Sequence, residues 1–221
     1  MCRNPWLRSK AVDDLVQGSA QWLQARCGLV TASRVADVVA KTKSGYSASR
    51  ATYMGELIAE RLTGVPAQGF TNAAMQRGTE KEPLARDAYA AQTFDEVVQV
   101  GFVLHPRIAM TGASPDGYVG DDGLIELKCP NSSTHIDTLL SGKVPEKYVT
   151  QIQWQLACTE RAWCDFVSWD DRLPPEMQLF VKRLERDDAR IAELEQEVTA
   201  FLDELDEKVG KLTALYRKEA A

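Results

Sequence analysis

Between residues 114 and 130 the chain reads Ser114-Pro115-Asp116-Gly117-Tyr118 and then Ile125-Glu126-Leu127-Lys128-Cys129-Pro130. That is an acid, a turn-rich gap and an acid-x-lysine triplet. Cutting a phosphodiester requires an activated water, a stabilised pentacovalent phosphorus and a neutralised leaving oxygen. Two divalent cations roughly 3.5–4 Å apart, bridged by a carboxylate, supply all three. Asp116 and Glu126 offer the hard oxygens that Mg²⁺ prefers, and the backbone carbonyl of Leu127 lies between the key side chains. Lys128 cannot bind metal; its place would be to orient or deprotonate the attacking water, or to stabilise charge on the phosphate. Taken alone, Glu-x-Lys more often marks a same-face ion pair on an exposed strand. The triplet therefore has to be judged with the elements around it.

Gly117 to Val119 and Gly123 to Lys128 read as two strands, with Gly120-Asp121-Asp122-Gly123 turning between them. Alternation puts Glu126 and Lys128 on one face and Ile125, Leu127 and Cys129 on the other. The Asp121-Asp122 pair reads as solvated turn. Upstream, helices are expected at 19–26, 34–40 (capped by Thr31-Ala32-Ser33), 48–63 and 72–93, the last bent or interrupted by Gly78 and Pro83. Further strands are expected at 97–104, 109–113, 163–169 and 177–185, and helices at 134–141 and 146–158. From Asp187 onward, Ile191, Leu194, Val198, Phe201, Leu205, Val209, Leu212 and Leu215 recur at steps of three and four. This pattern predicts a long amphipathic helix that lies on the core or, alternatively, meets another subunit. The expected fold class is α/β, more fully an α+β mixed sheet flanked by helices. It is expected to be one nuclease domain over 1–221, with its core at about 19–185 and a C-terminal helix at about 187–218.

The 221 residues carry a net charge of −6, which argues against non-specific coating of nucleic acid. Residues 1–90 hold 12 Lys/Arg against 8 Asp/Glu, and residues 91–180 hold 6 against 13. A basic region beside an acidic one suits a site where cations grip phosphate and acids grip metal. Five cysteines without a C-x-x-C pair read as reduced thiols of a cytoplasmic protein. No apolar run is long enough to span a membrane, and Met1 to Pro5 lacks the apolar core of a signal peptide. His105 and His135 share no motif with the acids. Lys41, Lys43 and Arg50 are basic residues with a weak claim on phosphate.

Five strings give the triplet its context. They are Trp22-Leu23-Gln24-Ala25-Arg26-Cys27-Gly28-Leu29-Val30-Thr31-Ala32-Ser33, Arg77-Gly78-Thr79-Glu80-Lys81-Glu82, the two strings around Asp116 and Glu126, and Tyr148-Val149-Thr150-Gln151-Ile152-Gln153. In this order they resemble the lambda exonuclease or YqaJ-type viral recombinase branch of the PD-(D/E)xK nuclease superfamily. The resemblance spans about residues 22–153.

The resemblance implies a restriction-endonuclease-like core and Mg²⁺ as cofactor, two ions, with Mn²⁺ as a substitute. Asp116, Glu126, the Leu127 carbonyl and Glu82 would be the metal ligands, Lys128 the catalytic lysine, and Gln151 the residue that positions the water or the lysine. Gln155 shares a face with Gln151 but takes no assigned role. A pocket of Arg26, Ser33 and Ser114 would hold a 5′-phosphate; Trp22 is either core or a stacking platform, and Lys43 a further DNA contact. Arginine suits such a pocket because its guanidinium presents a fork to phosphate oxygens. The implied activity is 5′→3′ digestion of one strand of duplex DNA from an end, leaving 3′ single strands for recombination. The implied partners are double-stranded DNA ends, two further copies in a ring-shaped homotrimer, and a phage-type single-strand annealing protein. An endonuclease of the same fold and a non-catalytic end-binding protein are the alternatives.

Overall fold

The computed structural model describes residues 14–67 and 73–217, apart from the side chains of 73–75. Met1 to Pro5, Cys2, the expected helix start at Asn72 and the expected helix end at 218 lie outside the described residues.

The chain opens with α1 (Ala20–Arg26), β1 (Val30–Thr31), α2 (Ala32–Val39), the hairpin β2 (Lys41–Thr42) and β3 (Gly45–Tyr46), α3 (Ala48–Thr63) and α4 (Ala73–Thr93). Strands β4 (Val97–Val98), β5 (Val103–Leu104), β6 (Thr111–Ala113), β7 (Gly117–Val119) and β8 (Gly123–Lys128) follow. After α5 (Ser132–Ser141) and α6 (Glu146–Thr159) come β9 (Trp163–Trp169), β10 (Leu179–Glu185) and α7 (Asp188–Tyr216). Five strands in the order β10-β9-β8-β7-β4 form one sheet, and β1-β6-β5 form a second. Both are mixed: β8 runs parallel to β9 and β1 parallel to β6, while the other pairs within them are antiparallel.

The central strand β8 is buried on both faces. Ile125, Leu127 and Cys129 pack with Ala85 and Tyr89 of α4, whereas Leu124 packs with Ile152 and Leu156 of α6. Helices α4 and α6 thus cover opposite faces, an arrangement that satisfies a strand buried on both sides. A third cluster joins α2, α3, α6 and α7 through Val35, Tyr53, Trp154, Val198 and Phe201. The apolar stripe of α7 is buried from Ile191 to Leu205, but Leu215 and Tyr216 are 73% and 78% exposed. Asp187 caps this helix by accepting from the Arg190 N–H at 3.0 Å.

Three expectations are corrected. The run 97–104 is not one strand: β4 pairs with β7 in the large sheet, and β5 pairs with β6 in the small one. Between them the Val100 carbonyl accepts from the Gln17 side chain at 2.8 Å, so a side chain replaces the ladder where the chain changes sheets. Helix α4 is not interrupted at Gly78 or Pro83, one of the two outcomes expected there; burial of Ala85 and Tyr89 holds it in place against local propensity. Helix α2 begins at Ala32, two residues early, and its N-cap Thr31 makes no side-chain capping bond.

Gly112 of β6 packs so tightly that an added Cβ would lie 2.5 Å from the Val103 carbonyl oxygen and 2.6 Å from the Phe102 ring. Overpacking of this kind costs roughly 1–3 kcal/mol. Gly112→Ala is therefore expected to lower the unfolding free energy by that amount, seen as a lower urea midpoint at an unchanged m-value; a midpoint equal to that of the parent chain would contradict the packing described here.

Candidate active site

The position of the site follows from strand register. β7 begins at Gly117, opposite Ile125, so the last three residues of β8 extend past the end of β7. Asp116 takes the vacant strand position instead. Its backbone N–H donates to the Ile125 carbonyl at 3.2 Å, and its Oδ2 accepts from the Leu127 N–H at 2.6 Å. The N–H and C=O of one strand residue point to the same side, so the Leu127 carbonyl is directed to the same edge as Asp116.

Glu126 is 1% exposed, and three donors surround it. Gln151 Nε2 donates to its Oε1 at 2.6 Å and Gln155 Nε2 to its Oε2 at 2.6 Å, while Lys128 Nζ forms an ion pair with Oε1. The two glutamines stand one turn apart on α6, which covers this face. Gln155, to which the sequence assigned no role, is therefore as close to Glu126 as Gln151 is. Its i, i+4 relation to Gln151 was the available signal. Glu82 enters from α4 on the other side and lines, with Asp116, a cavity of about 320 Å³.

Charge is concentrated here. Burial and the neighbouring carboxylates of Glu126 and Glu82 push Asp116 up to about 8, against the opposing effects of Lys128 and the Leu127 N–H. Glu82 is also raised, by burial first and then by Glu126, with Lys128 and Arg86 opposing. Burial disfavours the charge on Lys128, but Glu126 and Asp116 outweigh it, and its pKa rises. In this state Lys128 is a cation, not a base. Among the described residues, no three carboxylate, thiol or imidazole groups converge on one point. The donor set still fits a hard divalent cation: the mutual repulsion that raises Asp116 is what such an ion would relieve.

A second assembly lies upstream. The Arg26 guanidinium stacks 3.7 Å above the Trp22 ring, and Trp22 Nε1 donates to Ser114 Oγ at 3.0 Å. Arg26 Nε is buried without a hydrogen-bond partner, and burial lowers the Arg26 pKa to about 10 although Tyr53 and Glu60 oppose it. Glu60 commits its oxygens to the Gly28 and Ala67 N–H groups at 2.6 and 2.7 Å. Trp22 is half-buried and serves both ways: it packs against the core cluster of Ala25, Leu29 and Phe102, and its ring is a platform for Arg26. Ser33 is exposed on α2, its hydroxyl 3.4 Å from that of Thr31. Ser114 lies only two residues before Asp116, so one short segment touches both assemblies.

The remaining basic residues divide. Lys43 is exposed in the β2–β3 turn. Lys41 is tied to Glu197 at 2.6 Å and Arg50 to Glu204 at 2.7 Å, which makes both structural. Asp121 and Asp122 are exposed turn residues, as expected. His135 bonds Ser168 and the Met177 carbonyl, and His105 accepts from two backbone N–H groups, so neither is aimed at the acids.

Comparison with known proteins follows the same lines. A family model described as a YqaJ-like viral recombinase domain matches residues 21–162. The chain belongs to this family. Two crystal structures of LHK-Exo, an alkaline exonuclease from Laribacter hongkongensis, superpose with a TM-score of 0.85; one of them is a complex with dAMP. They are 57% and 56% identical, and each alignment covers 91% of this chain and 100% of the other. A phage-related exonuclease from Haemophilus somnus shares the fold at 15% identity, with a TM-score of 0.65 over 83% of this chain and 96% of its own. No curated protein sequence matches. The fold is thus that of PD-(D/E)xK exonucleases, a mixed sheet flanked by helices with a long C-terminal helix. No helix of the described residues is long and apolar enough to cross a membrane.

The raised Asp116 pKa has a definite sign. In metal-free protein the folded state keeps a proton that the unfolded chain loses above about pH 4. Stability is therefore expected to fall as pH rises from about 4 to about 8, and Asp116→Asn to flatten that part of the profile. Melting curves in EDTA between pH 4.5 and 8.5 would measure it; parallel profiles for the two proteins would show that Asp116 is not the group responsible.

Proposed function

We propose that the protein is a Mg²⁺-dependent 5′→3′ exodeoxyribonuclease that digests one strand of linear duplex DNA and leaves 3′ single-stranded overhangs for recombination. The observation that carries the direction is Arg26, a half-buried cation whose buried Nε has no partner, above Trp22 and joined through Ser114 to the segment that bears Asp116. An arginine with a buried donor and no ion-paired carboxylate among the described residues is an anion site in waiting, and the anion at a DNA end is the 5′-phosphate. LHK-Exo, crystallised with the deoxynucleoside monophosphate dAMP, supports this reading by its likeness.

In this reading Asp116, Glu126, Glu82 and the Leu127 carbonyl would hold two Mg²⁺ ions. When bound, the ions would supply charge for the phosphate and lower the pKa of the attacking water. With metal held at Glu126, the Lys128 ammonium would be free to face the water and the phosphorus. Gln151 and Gln155 keep the Glu126 carboxylate in one orientation throughout. Arg26, Ser33 and Ser114 hold the terminal phosphate, Trp22 supports Arg26, and Lys43 meets the backbone. A homotrimeric ring and a phage-type annealing partner complete the proposal. A ring would also offset the net charge of −6, because enclosure needs less electrostatic grip.

Linear duplexes with 5′-phosphate or 5′-hydroxyl ends, and a closed circle, test the reading in Mg²⁺. The phosphorylated end is expected to be digested at least tenfold faster, and Arg26→Ala to erase the difference. Lys128→Ala and Glu126→Ala are each expected to lose roughly a hundredfold or more in rate. Equal rates on both ends in the parent protein would remove the Arg26 pocket, and linearisation of the circle would turn the assignment to an endonuclease.

A further inference from the structure

Arg86 belongs to none of the strings read from the sequence. It stands one helical turn beyond Glu82 on α4, so both side chains leave the helix on one face. Both line the cavity that Asp116 closes. The rest of its lining among the described residues, 14–17 and 99–101, contains no cation and adds one acid, Asp14. Arg86 Nε is buried and has no hydrogen-bond partner. Its charge acts on Glu82, yet it stands in no ion pair among the described residues. A guanidinium at the wall of an acidic cavity, with a buried donor unmet, suits an anion that the described residues do not provide.

We propose that Arg86 binds the phosphodiester being cut, donating to a non-bridging oxygen beside Glu82 and Asp116, the acids that would hold the cations. This rests on the exonuclease reading above and deepens it. The two arginines divide the substrate. Arg26 takes the phosphate at the end, and Arg86 takes the phosphate one nucleotide further in, present whatever the end carries. In hydrolysis water adds to phosphorus, the bond to the 3′ oxygen breaks and that oxygen gains a proton; Arg86 loses nothing and holds charge on the phosphate.

The test is equilibrium binding in Ca²⁺ to duplexes with 5′-phosphate or 5′-hydroxyl ends, over a range of salt. Arg86→Gln is expected to weaken both by about tenfold, equally, and to reduce the log–log salt slope by about 0.9, the value for one phosphate contact. Arg26→Ala is expected to weaken only the phosphorylated end. The loss on Arg86→Gln should persist in a Glu82→Gln background. An unchanged slope, or a loss that vanishes in that background, would reduce Arg86 to a counter-charge for Glu82 and overturn the inference while leaving the exonuclease reading intact. Should Arg86→Gln fail to fold, Arg86→Lys decides: weaker binding with the parent slope supports the contact, because lysine keeps the charge and loses the fork, whereas parent affinity overturns it. A parent protein that holds neither duplex would overturn the exonuclease reading and this one with it.

Discussion

The carboxylate of Glu126 is the constraint on which the rest of the site depends. A buried anion is costly unless it is paired and hydrogen-bonded, and this one is met by an ammonium and two amides from two different elements. The two amides, both from α6, fix the register of that helix against β8. The end of β8 tolerates the loss of its β7 neighbour because Asp116 takes over the Leu127 N–H, so the backbone is satisfied by a side chain that is itself part of the acidic cluster. Packing and chemistry are served by the same atoms.

The ion pair between Glu126 and Lys128 bears on how the site can work. A lysine beside a buried carboxylate is held as a cation, so it cannot accept a proton while the pair persists. Activity of the kind proposed requires something to compete for Glu126. A divalent cation would do so and, by the same act, would offset the burial and the neighbouring carboxylates that push Asp116 up to about 8. Loading the site and arming it would then be one event.

Much of this was legible in the chain because the relevant distances are short in sequence. The face shared by Glu126 and Lys128, the turn at Asp121 and Asp122, and the buried stripe of α7 from Ile191 to Leu205 all follow from local periodicity. Apart from the start of α2, the misreadings were non-local. Nothing in 97–104 reports that its two ends join different sheets, since that depends on β6 and β7 further along. Lys41 and Arg50 look like free cations until α7 folds back to bring Glu197 and Glu204 to them. Arg86 was invisible for a related reason: an arginine four residues after an acid is ordinary on any helix, and only the cavity singles it out. Gln155 lay between these cases, in a pattern whose partner could be known only from the fold.

The residue after Lys128 adds one more consequence. Cys129 is buried, and its thiol is pushed up to about 12 by burial and by the negative charge of Glu82. A thiolate so near the acids would make the neighbourhood attractive to zinc and other soft ions. Kept as S–H in the apolar layer with Ile125 and Leu127, it offers them almost nothing. Burial and the acids that would gather a hard cation thus also suppress a nearby ligand that would favour a soft one, as they do for the buried Cys164 thiol on β9, and ionic selectivity would be a property of the sheet's hidden groups as much as of its working ones.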